Sequence, residues 1–258
     1  MLDLSDVTFT IPVKIDQPDR GRNLNIMTRY LKKHLKTNIM ICEMDTESKA
    51  KQHIDEGIDY KYIFMKTQSQ WFHRTMMLNY MAKLATTPII VNYDTDVLLQ
   101  PEQYVEAATM IRNGFSDLIF PYNGNFLDVP ATHVHKLGNS LTLDVPETVC
   151  RNLRPKADSV GGAIFWSKEK FISVGMENEN FVSWGFEDTE RDYRARTMGL
   201  NVNRLKGPLF HMSHGSSPNS ATNSHPFYKK NEKEWVKVSQ MNKNLLNEYI
   251  KSWKWLKD

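Results

Sequence analysis

The chain has 258 residues, 40% of them hydrophobic and 24% charged, with a formal net charge of +3. This is an ordinary globular composition with ample material for a core, and the charge is too close to neutral to point to nucleic acid. Two cysteines, Cys42 and Cys150, supply neither a disulfide framework nor a metal-ligand spacing, so a reducing compartment is the simpler expectation. The first residues, Met1 to Asp6, lack the apolar centre of a signal peptide. No stretch approaches the ~20 apolar residues of a membrane span. A cytoplasmic protein is expected, with peripheral contact at the inner face of a membrane as its closest approach to lipid.

Val7 to Val13 alternates as a first strand, with Pro12 at its end or bend. Asp16 to Arg22 reads as a polar loop, and Leu24, Met27, Leu31 and Leu35 follow at helical spacing. Ile39 to Cys42 is a short buried strand ending at Glu43 and Asp45, Thr46 to Gly57 a brief helix, and Tyr60 to Met65 a third strand. Trp71, Leu78, Met81, Ala82 and Ala85 mark a helix that leads into Ile89-Ile90-Val91-Asn92-Tyr93. Glu102 to Asn113 is a helix closed by Gly114, and Leu118 to Phe120 a strand stopped by Pro121. Asn123 to Lys156 reads as long and irregular, the kind of segment that is functional or mobile. Ala163 to Trp166 is a late strand, Lys168 to Val174 and Glu187 to Met198 are helices, and Gly215 to His225 is a lid or a plain surface loop. Glu232 to Leu256 carries Trp235, Val238, Met241, Leu245, Tyr249 and Trp253 on one helical stripe, with lysines over much of the rest. Alternating strands and helices predict a mostly parallel α/β sheet.

The most informative stretch is the apolar run that ends in Asp94-Thr95-Asp96. Ligands of open α/β sheets gather at the carboxyl ends of strands, and paired acids there suit a hard divalent cation shared with phosphate. For the tripeptide alone, an acidic turn after a strand is the plainer alternative; its place at the end of a buried strand favours a metal–diphosphate site.

Further on come Gly161-Gly162-Ala163, Asn178-Glu179-Asn180-Phe181, Trp184-Gly185-Phe186-Glu187-Asp188 and His211-Met212-Ser213-His214. In that order behind Asp94-Thr95-Asp96, they resemble a nucleotide-sugar glycosyltransferase of the GT-A fold. The similarity is to the branch of β-1,4-galactosyltransferases, polypeptide N-acetylgalactosaminyltransferases and bacterial chondroitin-polymerase-type enzymes. The resemblance implies an α/β GT-A fold with a mixed, mostly parallel sheet flanked by helices. It implies one domain over residues 1–258: a nucleotide-binding half (1–122), an acceptor and catalytic half (123–214), then a lid loop and C-terminal helix (215–258).

The same resemblance implies a UDP-sugar donor, Mn²⁺ or Mg²⁺, and a glycan or lipid-linked glycan acceptor, with no nucleic-acid partner. Asp94 would lie near ribose and metal, Asp96 would ligate the metal, and His211 would complete the site, with His214 a second candidate. Imidazole beside carboxylate suits Mn²⁺; a two-histidine zinc site is the lesser alternative. Pro12, Val13, Glu43, Asp45 and Asn79 would serve the nucleotide side, with Arg74 a weaker candidate. Asp188 matches the base of the inverting members, with Glu187 gripping sugar hydroxyls. An acid at a helix start is otherwise a common partner of the helix dipole. Gly161 and Gly162 permit close backbone approach to a ligand, and Trp184 offers a platform for the acceptor sugar, Gly185 suggesting an exposed turn. A sugar-phosphate nucleotidyltransferase, for which Asp19-Arg20-Gly21-Arg22 is a poor phosphate loop, and a sugar-binding module without catalysis are the competing readings. Sugar, linkage and oligomeric state are not legible.

Overall fold

The computed structural model describes residues 1–220 and 225–257. The chain begins β1 (Leu2–Val13), α1 (Pro18–His34), β2 (Leu35–Asp45), β3 (Lys61–Lys66), α2 (Arg74–Leu84) and β4 (Ile89–Tyr93). It continues with β5 (Val97–Leu98), α3 (Pro101–Arg112), β6 (Leu118–Phe120), β7 (Phe126–Val129), α4 (Ala131–Ser140) and β8 (Arg151–Asn152). The last elements are β9 (Ala163–Ser167), α5 (Lys168–Ser173), α6 (Glu187–Met198), β10 (Val202–Arg204), β11 (Leu209–Met212), α7 (Tyr228–Ser239) and α8 (Lys243–Lys251).

Seven strands form the main sheet in the order β10-β6-β9-β4-β1-β2-β3. Strands β1 to β4 run parallel, as do β6 and β10, while β9 is antiparallel to β4 and β6. This is a mixed, mostly parallel α/β sheet flanked by helices. Its middle is the hydrophobic core: Phe9, Ile90, Val91, Tyr93 and Phe165 are all inaccessible to solvent. A smaller sheet, β5-β11-β7-β8, stands beside it.

Several local readings change. Pro18 opens α1 at a first-turn position, where its missing N–H costs nothing, so the expected polar loop is already helix. Between Thr46 and Gly57 the helical structure is a 3-10 turn, Ala50–His53. Trp71 precedes α2 rather than joining it, because the His73 side chain accepts from the Met76 amide and caps the helix there. The segment 123–156 holds β7, α4 and β8, elements too short for periodicity to register. The C-terminal stripe is two helices, broken where Asn242 caps α8 through the amides of Asn244 and Leu245. Of the expected lid, 215–225, residues 221–224 lie outside the described residues. No helix among the described residues is long and apolar enough to cross a membrane.

Candidate active site

The Asp-x-Asp turn joins β4 to β5 and is fixed from behind by two buried tyrosines. The Tyr93 hydroxyl donates to the Val97 carbonyl at 2.8 Å and lies 2.6 Å from the Tyr104 hydroxyl, which accepts from the Leu99 amide. In front, the Asp94 amide donates to the Gly162 carbonyl at 2.8 Å.

Sheet register delivers the histidines. On one side β11 pairs with β5, setting His211 opposite Val97, and the Met212 amide donates to the Asp96 carbonyl. On the other side β11 pairs with β7, setting His211 opposite Asp128. Directly paired residues point to the same sheet face, and His211 Nδ1 meets Asp128 Oδ1 at 2.9 Å. That contact leaves Nε2 facing Asp96, 3.9 Å from Oδ2. His214 Nε2 is 3.2 Å from the same oxygen. One ligand atom from each of Asp96, His211 and His214 falls within 4.8 Å of the others. Two imidazoles and a carboxylate, one imidazole oriented by a further carboxylate, are a donor set that fits Mn²⁺ and related divalent metals.

Charge in this corner is strongly perturbed. Burial works against ionisation of Asp96, but the His214 hydrogen bond and the charges of His211 and Arg20 outweigh it and hold the carboxyl well below the usual range. The same hydrogen bond raises His214 above the ordinary histidine value. Arg20, in the first turn of α1, spans Asp16 at 3.0 Å and Asp96 at 3.3 Å.

Asp94 turns to a different partner. Its Oδ1 accepts from Arg74 Nη2 at 2.8 Å and Nε at 3.1 Å, so it is not in the three-residue cluster. Removal from bulk water pushes its carboxyl up; the Arg74 charge opposes this, and the like charges of Asp96 and Asp188 add to it. Arg74 also faces Asp188, its Nη1 3.6 Å from Oδ1. Asp94 therefore stands between the histidine corner and Asp188, within electrostatic reach of both.

Asp188 sits in the first turn of α6, which the chain enters through a strained turn: Ser183, Gly185 and Phe186 all have positive φ. Gly185 is buried rather than exposed, with φ +117°. Arg191, one turn on, binds Asp188 Oδ1 at 2.7 Å and Glu177 at 2.7 Å. Glu177 in turn accepts from Asn92 at 2.7 Å, so the carboxylate is braced back into β4. Glu187 is buried, accepts from the Gly185 amide at 3.0 Å, and burial together with the Asp188 charge pushes it up to about 7. Trp184 stacks on Tyr228 with ring centres 6.1 Å apart. Trp184, Glu187, Asp188, Gly161, Arg154 and Asp158 line a hollow of about 200 Å³. A Cβ at Gly161 would lie 2.2 Å from Asp188 Oδ2, so no larger residue fits beside that carboxylate; Gly162 has φ +79°.

The remaining expected residues are engaged elsewhere. Glu43 is solvent-inaccessible and accepts from the Lys49 and Ala50 amides and the Tyr62 hydroxyl. Asp45 pairs with Lys14 at 3.3 Å and Lys49 at 3.5 Å. Asn79 donates to Glu179 and to the Glu177 carbonyl and accepts from the Glu177 amide, holding the loop behind Arg191. Pro12 is buried in β1 opposite Cys42, and Val13, the last residue of that strand, is buried opposite Glu43. Asp128 was passed over in the sequence, Arg20 was weighed only as part of a poor phosphate loop, and Arg191 only as a partner of acids on its own helix. Only Arg191 carried a signal, its i,i+3 spacing from Asp188.

Residues 148–215, which hold the Gly-Gly, Trp-Gly-x-Glu-Asp and histidine segments, match the family described as the N-terminal domain of galactosyltransferase. No curated protein sequence matches the chain significantly. Among solved structures, S. aureus TarS (residues 1–349) with UDP-GlcNAc aligns over 95% of this chain and 70% of its own, with TM-score 0.61 and 12% identity. GalNAc-T7 with UDP, GalNAc and Mn²⁺ aligns over 95% of this chain and 49% of its own, with TM-score 0.59 and 12% identity. A variant of Drosophila β1,4-galactosyltransferase 7 with manganese, UDP-Gal and xylobiose aligns over 94% and 81%, with TM-score 0.53 and 14% identity.

The chain has the GT-A fold. It spans 65% of the length of another structure of the fly enzyme, with xylobiose. Within this GT-A framework the Asp-x-Asp turn follows a central parallel strand, and the second sheet carries the histidines back to it. The shared fold thus rests on the backbone path; the side-chain roles rest on the geometry above.

Proposed function

We propose that the chain is a metal-dependent glycosyltransferase that moves a hexose or N-acetylhexosamine from a UDP-sugar to a glycan or glycolipid acceptor with inversion. The observation that carries this reading is the single row of acids from Asp96 through Asp94 to Asp188, with metal-binding donors at one end and a positioned carboxylate at the other. Asp96, His211 and His214 would hold Mn²⁺ or Mg²⁺, which when bound supplies Lewis-acid stabilisation of the departing diphosphate. Arg20 adds a fixed positive charge beside it. Asp188 accepts the proton of the acceptor hydroxyl while that oxygen attacks the anomeric carbon from the face opposite UDP. Arg191 and Arg74 hold the carboxylate in place for that transfer, and Trp184 supplies an apolar wall for a sugar ring.

The nucleotidyltransferase alternative loses its support. Gly21 lies inside α1 against the His53 ring rather than in a loop that wraps phosphate.

A panel of UDP-sugars incubated with Mn²⁺ tests the proposal. UDP release from one or a few of them, abolished by a chelator, is the expected result; pyrophosphate-dependent exchange without UDP release, or binding with no turnover, contradicts it.

A further inference from the structure

Helix α7 starts at the edge of the catalytic hollow, because its first residue, Tyr228, stacks on Trp184. From there it presents Lys229, Lys230, Lys233 and Lys237, all exposed. At 3.6 residues per turn these four fall within a sector of about 100°. They line a second surface hollow, of about 430 Å³, with Asn180 and Glu234 as its other walls.

The lysines are not neutralised from within. None of the four forms an ion pair with a carboxylate among the described residues. Glu234 Oε1 is taken up by Asn178, Asn180 and the Tyr249 hydroxyl, at 2.8, 3.2 and 2.6 Å. Two ammonium groups are set against rings instead: Lys237 Nζ is 3.7 Å from the centre of Tyr249, and Lys230 Nζ is 5.7 Å from that of Phe227. Like charges one helical turn apart destabilise a helix unless something offsets them. The row at 229, 233 and 237 is such a repeat, and it begins at the residue after Tyr228.

Building on the glycosyltransferase reading, we infer that this lysine-lined hollow binds the acceptor, and that the acceptor is a polyanionic glycan or polyol chain bearing carboxylate or phosphate groups. Its terminal sugar lies on Trp184 beside Asp188, and the preceding, charged units run along α7. Concave shape, and the stacking of Tyr228 at the start of α7 on Trp184 of the hollow at Asp188, favour a chain over a membrane. The exposed apolar side chains nearby, Val236 and Leu245, are single residues rather than a face.

Calorimetric titration of the full chain at low salt with oligogalacturonates, glycerol-phosphate oligomers and neutral dextran oligomers tests this. The inference predicts binding of at least one anionic series, weakened by added salt, with none of dextran; the stronger series identifies carboxylate or phosphate as the acceptor's charge. A variant with Lys229, Lys230, Lys233 and Lys237 all changed to glutamine should lose affinity by on the order of 10- to 100-fold. The corresponding arginine variant should keep it, which separates charge from folding. Equal binding by the glutamine variant, no binding by the unaltered chain, or lysine-dependent sedimentation with phosphatidylglycerol vesicles without oligomer binding would overturn it. UDP release from UDP-sugars with Mn²⁺, measured on the same preparations, keeps the two readings apart. Its absence beside lysine-dependent oligomer binding sinks the transferase reading and leaves a polyanion-binding hollow that serves no acceptor; its presence without oligomer binding sinks the acceptor reading alone.

Discussion

The two ends of the acidic row solve the same electrostatic problem differently. At Asp188 the charge is balanced within the protein: Arg191 and Arg74 flank the carboxylate, and Arg191 is itself paired to buried Glu177. At Asp96 the balance comes from Arg20 and from a histidine whose protonation a metal would displace. One end is rigid before any ligand arrives, whereas the other is built to exchange a proton for a cation. A base needs fixed geometry against its substrate; a metal corner needs donors that can be vacated.

Asp188→Asn breaks the rigid end most directly. It should lower turnover by roughly 10²–10⁴ while leaving Mn²⁺ affinity unchanged; near-normal kcat with UDP-sugar and acceptor would remove Asp188 from its role. The brace behind it is expected to matter for stability. Arg191→Met leaves Glu177 buried without its cation, and denaturant unfolding should show a loss of about 3–5 kcal/mol.

Glu187 sharpens the comparison through pH. Its folded-state value is raised to about 7 from an ordinary 4.5, so the folded state binds the proton more tightly than the unfolded chain. The resulting cost is absent below the unfolded value, grows as pH rises, and is complete above about 7. Glu187→Gln should therefore leave stability nearly unchanged in acid and raise it by about 3 kcal/mol above neutrality. An equal effect on unfolding midpoints at both pH extremes would contradict that assignment.

At the exchangeable end, Asp128→Asn should weaken Mn²⁺ binding by about 10–100-fold, the usual effect of losing the partner that orients a ligating imidazole. Mn²⁺ affinity should also rise with pH through the raised value of His214, because that ring must shed its proton to bind; a flat profile by titration calorimetry would count against His214 as a ligand.

Much of this was legible from residue order. Strands β1, β2, β4 and β9 announced themselves as β-branched or aromatic runs, and the parallel sheet followed from their alternation with helices. Asp94, Asp96, Glu187 and Asp188 could be singled out as candidates because motif spacing survives in a sequence. What escaped depends on distant pairing. Asp128 reaches His211 only through the β7–β11 register, and β5, β7 and β8 are two to four residues long, below the length at which alternation is visible. Glu43 looked like a strand-end ligand; its carboxylate instead caps the Ala50–His53 turn, a local hydrogen bond that leaves no mark on apolar periodicity. The place of Arg20 beside Asp96 was hidden by Asp16 and Pro18, which read as loop although they flank a helix start.

A crystal structure with Mn²⁺ and UDP tests the central claim most directly. An anomalous manganese peak ligated by Asp96, His211 and His214 is expected, with the diphosphate on it and Asp188 across the sugar site. Manganese bound elsewhere, or a nucleotide that leaves those three side chains untouched, would contradict it.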